Sequence, residues 1–303
     1  MVTGLVDAQV RAAMFGYLQD LTLRHPEGLP SSELNKFAVG GRPLKLVVQP
    51  GIWKPAELSG ALTIRTTYTA PNQLPPYEDD ISAGGLVKYA YRGTDGNHSD
   101  NRALRTAMRE ELPLAYFIGV AQGVYQAQFP VYVVGERADE HAFLIAVDEA
   151  QRLIDPELVA SLTPDRRSYM ERLTRIRLHQ PVFRARVLQA YESRCAICRL
   201  RHPDLLDAAH IIRDADEGGL PVVPNGLSLC KIHHAAYDRN FLGVTPDLVV
   251  KVRQDILDEV DGPMLRYGIQ AMAGERLTAP RQRAAQPDRD NLDQRYREFL
   301  AAS

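Results

Sequence analysis

The feature that most constrains this chain is the spacing of its three cysteines. Cys195 and Cys198 form a C-x-x-C pair, and after a gap of 31 residues Cys230 and His233 form a C-x-x-H pair. Zinc prefers four tetrahedral sulfur and nitrogen ligands, and structural sites bring two such pairs together from the ends of a long loop. The spacing therefore predicts one structural zinc ion bound by these four residues.

Polar residues suited to catalysis lie between and just after the two pairs. His210 stands in the apolar run 208–212, which favours a short strand, and an imidazole held on a strand can act as a general base near neutral pH. Asn225 follows in a Pro-Asn-Gly turn. His234 and Asp238 are four residues apart in a segment of helical character, so they project from one face and can bind one divalent cation.

This order of histidine, asparagine and histidine within paired zinc ligands resembles the HNH, or ββα-metal, nucleases. The resemblance implies that His210 is the base, that Asn225 holds the motif's loop or that base, and that His234 is a ligand of the catalytic cation. Asp238 stands where many relatives have a second histidine. The match implies a zinc-supported endonuclease domain.

One position departs from the family's pattern. Many relatives have an aspartate just before the base as a further metal ligand, and here that residue is Ala209. Asp207 is close in sequence, but three residues along a strand points it to the face opposite His210, so we expect Asp207 not to replace that ligand. Adjacent helical residues point about 100° apart, which assigns His233 to zinc and His234 to the cation.

The mechanism implied by this resemblance is metal-assisted hydrolysis of DNA phosphodiester bonds. A cation such as Mg²⁺, Mn²⁺ or Ni²⁺ would stabilise charge on the phosphate while His210 deprotonates the attacking water. The alternative is a binding module that uses the same fold as a zinc-held scaffold. The joint presence of His210, Asn225, His234 and Asp238 argues against that alternative.

The composition bounds the rest of the chain. Its 303 residues are 45% hydrophobic, which is enough for two globular domains, and the formal net charge is −2. DNA contact must then come from local basic patches. We expect no membrane span, no secretory signal and, since all three cysteines are assigned to zinc, a reducing cytoplasmic location.

The N-terminal half has the pattern of a β-rich domain, so the expected fold class is α+β. Apolar intervals predict a first helix over residues 5–25, either part of a small bundle or a lid on the following domain, and we favour the lid. A second helix is expected at Asp100–Glu111 with Asp100 as its cap. Short apolar runs predict strands at 44–48, 62–68, 86–91, 114–120, 130–134 and 143–147.

One segment of this half carries a second resemblance. It reads Pro-Tyr-Glu-Asp-Asp at 76–80, a glycine pair at 84–85, Tyr-Arg-Gly at 91–93 and Asn-Arg-Ala-Leu at 101–104. This is similar to the SRA (SET and RING associated) domain, a curved PUA-like β-barrel that flips a modified cytosine out of duplex DNA. The resemblance implies that Tyr77 and Tyr91 stack on the flipped base and that Asp80 accepts a hydrogen bond from its exocyclic amine.

The SRA pattern is incomplete here, and its residues also have an ordinary explanation. The long Gly- and Asn-rich loop that usually follows Y-x-G is replaced by Thr94–Ser99. Taken singly, Tyr77 and Tyr91 are typical sheet aromatics and the acidic run is typical of a solvated loop. The downstream nuclease resemblance favours a base-reading barrel.

The joint between the two halves is strongly basic. Residues 164–201 contain ten arginines against three acids, a net charge of +7. A solvated helix face is the alternative, but we favour contact with DNA phosphates. The arginines expected to make it are Arg172, Arg175, Arg177 and Arg184.

Together these patterns predict an SRA-like reader at 1–160, a basic helical linker at 161–190 and an HNH domain with a helical extension at 191–303. The expected function is a modification-dependent restriction endonuclease acting on double-stranded DNA with 5-methyl- or 5-hydroxymethylcytosine. The alternative is an HNH endonuclease or nickase whose N-terminal domain does not read modified bases. One helix is expected over residues 255–272. A final helix at Leu292–Ala302 could pack on the core or join a second subunit, so a homodimer is possible.

Overall fold

The structure is a computed structural model that describes residues 2–75, 85–153 and 163–302. The chain divides into two compact units, one of residues 1–69 and 75–182 and the other of residues 70–74 and 183–303. The division falls inside the segment expected to be a linker, 161–190. It also assigns the short segment 70–74 to the second unit, which no sequence pattern predicted.

The first unit contains a mixed sheet of seven strands in the order β4-β5-β7-β8-β9-β6, with β1 paired to β8. Among the strands that the structure describes, β5 and β7 are the only parallel pair. The strands of this unit are β1 (Leu29–Pro30), β2 (Ala38–Val39), β3 (Arg42–Pro43), β4 (Ile52–Trp53), β5 (Thr63–Thr66), β6 (Val87–Ala90), β7 (Leu114–Ala121), β8 (Val124–Arg137) and β9 (Ala142–Ala146). The expected strand at 44–48 does not form, while 130–134 is part of the longer β8.

Strand β8 organises the sheet because it has three partners. Its first part pairs with β1 and β7, and its second part, from Tyr132 onward, pairs with β9. Strand β7 is buried along nearly its whole length, as its continuous apolar sequence requires of a strand covered on both faces. Gly119 lies where a Cβ atom would come within 2.5 Å of the Tyr68 backbone nitrogen, so the close approach of that backbone requires glycine.

Helix α1 (Val2–Arg24) packs on this sheet through Met14, Leu18 and Leu21, all fully buried. Their spacing places them on one face. On the same helix the buried Arg11 pairs with Asp7 at 2.5 Å and donates to the backbone oxygens of two other segments. The helix is therefore fixed to its own unit, as the lid interpretation expected.

The other helices of the first unit are α2 (Ser31–Leu34), α3 (Ser99–Arg109), α4 (Glu149–Arg152) and α5 (Pro164–Thr174). Helix α3 starts one residue earlier than expected because His98, not Asp100, is the cap and accepts from the Asp100 backbone nitrogen at 3.2 Å. A π-helical turn, Arg175–His179, leads from α5 into α6 (Gln180–Ala190), where the division between the units falls.

The second unit contains two short antiparallel hairpins and a set of helices around one core. The strands are β10 (Leu206–His210), β11 (Gly226–Cys230), β12 (Leu242–Val244) and β13 (Val250–Val252). The helices are α7 (Lys231–Asp238), α8 (Gln254–Asp258), α9 (Pro263–Gly268) and α10 (Arg289–Ala301). The single helix expected over 255–272 is broken where Gly262 and Pro263 interrupt the backbone hydrogen bonding.

The segment 70–74 joins the second unit through backbone contacts. Arg186, only 2% exposed, donates from Nη2 to the carbonyl oxygens of Ala70 and Gln73 at 2.8 and 2.9 Å. The Val223 backbone nitrogen donates to the Pro71 oxygen at 3.0 Å. Among the helices that the structure describes, none is long and apolar enough to cross a membrane.

Candidate functional site

The four residues predicted to bind zinc lie together. The ligand atoms of Cys195, Cys198, Cys230 and His233 are all within 4.8 Å of one another. Cys195 Sγ is 3.4 Å and Cys230 Sγ 3.2 Å from His233 Nδ1, and Cys198 Sγ is 4.0 Å from Cys230 Sγ. Zinc bonds of about 2.0–2.3 Å in a tetrahedron separate the ligand atoms by about 3.5 Å, so this cluster fits the ion.

The imidazole of His233 is oriented for this role. Its Nε2 lies 2.7 Å from the Gly268 carbonyl oxygen, which can only accept, so Nε2 carries the proton and the lone pair of Nδ1 faces the sulfur atoms. His233 is 2% exposed, and the next residue, His234, points elsewhere on α7. The separation of the two histidines follows the geometry expected of adjacent helical residues.

His210 is the last residue of β10, where the strand holds it against α6. Its ring stacks on Phe183 with centroids 4.0 Å apart and an angle of 17°. Nε2 is shielded from solvent and has no hydrogen-bond partner within the described ranges. Burial lowers the pKa of His210, and the charge of His234 lowers it further, while Asp214 and Asp238 oppose the shift. The imidazole is therefore neutral at neutral pH, as a general base must be.

Asn225 ends a short 3₁₀ turn, and its side chain forms hydrogen bonds with two residues of the loop after β10. Its Oδ1 accepts from the Ile212 nitrogen at 2.9 Å and from Asn291 Nδ2 at 3.1 Å. Its Nδ2 donates to the oxygens of Ile212 and Leu220 at 2.9 and 3.0 Å. A carboxamide has two donors and two main acceptor positions, and all four are used inside the protein. Asn225 is thus a positioning residue that holds the motif's loop.

His234 lies between two carboxylates. Its Nε2 is 3.2 Å from Asp238 on the next turn of α7, and its Nδ1 is 3.6 Å from Asp207 on β10. Hydrogen bonding to Asp207 and then to Asp238 raises the pKa of His234 to about 9. One imidazole and one carboxylate spaced by a helical turn are hard and borderline ligands suited to a divalent cation that keeps several waters.

Asp207 lies on the strand face opposite to His210, as the strand period predicts, and from that face it contacts His234. Ala209 lies on the same face as Asp207. Lys231 Nζ lies 2.6 Å from Asp207 Oδ2, and Arg184 Nε lies 3.4 Å from Asp207 Oδ1. Burial would raise the pKa of Asp207, but hydrogen bonds with His234 and Lys231 reverse this and lower it to about 2.

Two residues of α10 that no motif indicated also contact the candidate site. Asn291 donates to Asn225, and Arg295 donates to the Tyr237 carbonyl oxygen at 2.7 Å beside Asp238. Phe183, which covers His210, was missed as well. Their only sequence signal is a buried-type periodicity in the flanking helices, which does not specify a partner.

The arginines predicted to contact DNA have different surroundings. Arg172 is exposed, Arg177 is half-exposed and pairs with Asp148, and the side chain of Arg175 lies outside the part of the chain that is described. Arg184 donates from Nη2 to the oxygens of Pro203 and Leu206 at 2.7 and 3.0 Å. Arg184 therefore supports the fold around β10.

The predicted base pocket is only partly described. Tyr77 and Asp80 fall in residues 76–84, outside the described ranges. The ring of Tyr91 is 9% exposed, with Phe143 at a centroid distance of 4.9 Å and the Arg105 guanidinium 5.9 Å from its centre. Its hydroxyl donates to Glu136, which also pairs with Arg105 at 2.7 Å. Tyr91 thus belongs to a buried polar cluster of the first unit.

Comparison with known proteins supports the second unit's assignment. Residues 195–245 match the HNH endonuclease family, and these residues include all the predicted zinc, base and cation positions. No curated protein matches the chain.

Two solved structures show a weak likeness. A modification-dependent TagI restriction endonuclease is 18% identical with a TM-score of 0.29, over 82% of this chain and 85% of that one. The type IV phosphorothioation-dependent restriction endonuclease ScoMcrA is 17% identical with a TM-score of 0.24, over 62% of this chain and half of that one. Likeness at this level does not establish a shared fold. The family match does establish that residues 195–245 are an HNH endonuclease domain, so the protein is a nuclease.

Proposed function

We propose that this protein is a modification-dependent DNA endonuclease that cuts with the HNH site of its second unit. The observation that carries the proposal is the grouping of one neutral, half-buried imidazole with a second imidazole and its carboxylate partner. His210 ends β10, the strand that contacts α7 through the Asp207–His234 pair, and the charges of His234 and Asp238 act on the pKa of His210. The cluster of three cysteines and His233 joins the chain before β10 to the first turn of α7, the helix that carries His234 and Asp238.

In this proposal His210 takes a proton from the attacking water. A neutral imidazole has one donor and one acceptor nitrogen, and the shielded position of Nε2 assigns the accepting role to Nδ1. Stacking on Phe183 fixes the plane of the ring, so the acceptor has a defined direction. A general base positioned in this way contributes about 10²–10⁴-fold to a rate.

His234 and Asp238 would hold the divalent cation, with Nε2 of His234 on the side shared with Asp238. The cation, when bound, supplies Lewis-acid stabilisation of the negative charge on the phosphate. Asp207 faces the other nitrogen of His234 and is itself held by Lys231 and Arg184, so it would orient His234 rather than replace the ligand missing at Ala209.

We propose that the first unit supplies the dependence on modification. Tyr77 and Tyr91 would stack on a flipped cytosine that carries a 5-methyl or 5-hydroxymethyl group, and Asp80 would accept from its exocyclic amine, which thymine lacks. The support is the order of the motif along the sequence together with a nuclease domain in the same chain. Arg172 and Arg177, both exposed to solvent, would contact phosphates.

A second candidate is an HNH endonuclease or nickase whose first unit does not read modified bases. One observation favours it: the Tyr91 ring is nearly buried and its hydroxyl is bound by Glu136, so the ring would have to be uncovered before it could stack on a base. The same HNH site would then act on DNA selected in another way.

Digestion of three copies of one plasmid separates these candidates. The copies carry cytosine, 5-methylcytosine or 5-hydroxymethylcytosine, and each is incubated with Mg²⁺, Mn²⁺ or Ni²⁺. Cleavage of a modified copy alone supports the modification-dependent endonuclease, and equal cleavage of all copies supports the second candidate. No cleavage with any cation contradicts both. The ratio of nicked to linear product reports whether one strand or both are cut, and its dependence on protein concentration tests for a homodimer.

A further inference from the structure

Helix α10 lies outside residues 195–245, yet it contacts both halves of the candidate active site. We propose that Asn291 and Arg295 are positioning residues that hold the loop after His210 and the helix of His234 and Asp238 at a fixed separation. The proposal rests on the proposed function of that site. It makes the C-terminal helix a working part of the nuclease.

The first contact is at the start of α10. The Asp288 backbone nitrogen donates to the Pro224 oxygen at 2.9 Å, which places the helix start beside Asn225. The Asp288 side chain caps the helix by accepting from the backbone nitrogen of Asn291 at 3.0 Å. The Asn291 side chain is thereby directed to Asn225, where its Nδ2 donates to Oδ1 at 3.1 Å.

This contact acts on the loop that follows His210. Asn225 binds both backbone groups of Ile212 and the oxygen of Leu220, and its own backbone oxygen accepts from Ile211, the residue after His210. Asn291 supplies the fourth hydrogen bond of the Asn225 carboxamide. It therefore fixes the rotation of that side chain, and with it the path of the loop.

The second contact is one turn further along α10. Arg295 is 4% exposed and donates to the Tyr237 carbonyl oxygen at 2.7 Å and to Asn240 Oδ1 at 2.5 Å. Its guanidinium carbon also lies 4.8 Å from the centre of the Tyr237 ring. A cation that binds the last carbonyls of a helix stabilises that end, and here that end carries Asp238. The last turn of α7 is held from outside the motif.

The two contacts are linked by a rigid segment. Asn291 and Arg295 are four residues apart on one helix face, about 6 Å along the axis. Leu292 is fully buried, and Phe299 packs on Gly243 so closely that a Cβ there would lie 2.6 Å from the ring. Because Leu292 and Phe299 hold the helix on this core, the helix keeps the base and the cation ligands at a fixed distance from each other.

The first test is Asn291→Asp. The carboxylate has the shape of the amide and suits the first turn of a helix, but it cannot donate to Asn225. We expect kcat to fall about ten- to a hundredfold, since misplacing a catalytic group by 1 Å has an effect of that size. KM for DNA and the affinity for Mn²⁺ should remain within about twofold. Arg297→Ala, at an exposed position of the same helix, is the matched control.

The second test is Arg295→Lys, which keeps the charge but loses the two-pronged donor. This substitution should displace the end of α7 that carries the cation ligand Asp238. We therefore expect the affinity for Mn²⁺, measured by electron paramagnetic resonance, to decrease about tenfold. Asn291→Asp should not change that affinity. A kcat for Asn291→Asp equal to that of the Arg297→Ala control would overturn the proposal, whatever Arg295→Lys shows.

A spectroscopic readout keeps this inference separate from the proposed function. The ring resonances of His210 should shift in Asn291→Asp and stay unchanged in Arg297→Ala, because only the first change alters the loop beside that ring. If the wild type cleaves no DNA, the proposed function fails, while an unshifted His210 resonance would by itself contradict the positioning role of Asn291.

Discussion

At the scale of single residues, the three histidines of the second unit differ in the groups that surround them. His233 is held by sulfur atoms and a carbonyl oxygen, His234 by two carboxylates, and His210 by an aromatic ring with no ionic partner in direct contact among the described residues. Hydrogen bonding to Asp207 and Asp238 raises the pKa of His234 to about 9, whereas burial lowers that of His210. His210 is therefore the one of these two histidines that is neutral at neutral pH.

The lowered pKa of His210 gives a prediction for the pH profile. An imidazole works as a base only when neutral, and an unperturbed one is half-protonated at about pH 6.5. Because burial stabilises the neutral form, the acid limb of kcat/KM at saturating cation should have its midpoint below that pH. Steady-state rates from about pH 5 to 8 measure this. A midpoint above 6.5 would show that His210 is charged in the free enzyme or is not the base.

Sequence reasoning identified candidate ligands and a candidate base but not the side chains that orient them. Spacing alone predicted that the three cysteines and His233 lie together, because ligand chemistry fixes both residue type and interval. It could not find Asn291 or Arg295, since a hydrogen bond between residues 66 positions apart leaves no local pattern. The contact of Asp207 with His234 was predictable only in part, because the strand period places Asp207 on the face of Ala209 but does not show which helix residue faces it.

At the scale of elements, the zinc cluster and α10 fix the same hairpin from two directions. Cysteine pairs close the loop that contains β10 and β11, while α10 contacts the turn between them and the end of α7. Local periodicity predicted β10 and α10 to within about three residues, and it predicted helical character for α7 without its boundaries. The prediction of one helix over 255–272 was wrong, because Gly262 and Pro263 interrupt backbone hydrogen bonding there.

Removing one zinc ligand tests the role of the cluster. Cys198→Ser should lose bound zinc and unfold the second unit at temperatures where the first unit stays folded, since structural zinc contributes about 10 kcal/mol or more to folding. Elemental analysis gives the zinc content, and thermal unfolding gives the stability. His202→Ala, an exposed histidine near the cluster, should retain one zinc ion per chain. Full stability of zinc-free Cys198→Ser would contradict the structural role.

The basic segment gives a prediction about helix α5. Arg172 is exposed on that helix, so Arg172→Ala should weaken DNA binding to all sequences alike and reduce the slope of log K against log salt by about 0.9. Thermal stability should not change, because the side chain is at the surface. Lys36→Ala, which removes a surface charge elsewhere in the first unit, is the control. An unchanged salt slope would remove Arg172 from the DNA interface.

At the scale of the whole molecule, the chain joins an α+β unit to a nuclease unit. The α+β class was predictable from the succession of short strands with few helices in the N-terminal half, and the HNH domain from the order and spacing of its cysteines and histidines. The division of the chain into units was harder to predict. The segment 70–74 joins the second unit through the buried Arg186, and a contact between residues 116 positions apart leaves no local sequence pattern. The base-reading role remains a prediction.

Asp80 is the residue on which that prediction depends. If its carboxylate accepts from the cytosine amine, Asp80→Ala should weaken insertion of the flipped base into the pocket. The preference for modified DNA should then fall by about tenfold or more, because the phosphate contacts that remain do not distinguish modified from unmodified cytosine. On DNA that the Asp80→Ala protein still cuts, the rate of the cleavage step at the HNH site should equal that of the wild type. Competition binding between modified and unmodified duplexes measures the preference. Discrimination equal to that of the wild type would exclude this pocket.

The central claim is that His210 is the base of an HNH site held together by zinc. Cleavage of the plasmid copy that the wild type cuts should be compared between the wild type and His210→Ala at saturating divalent cation. We expect a rate reduced about 10²–10⁴-fold, with zinc content, thermal stability and DNA affinity unchanged. A His210→Ala protein that is folded, contains zinc and cuts at the wild-type rate would contradict the account.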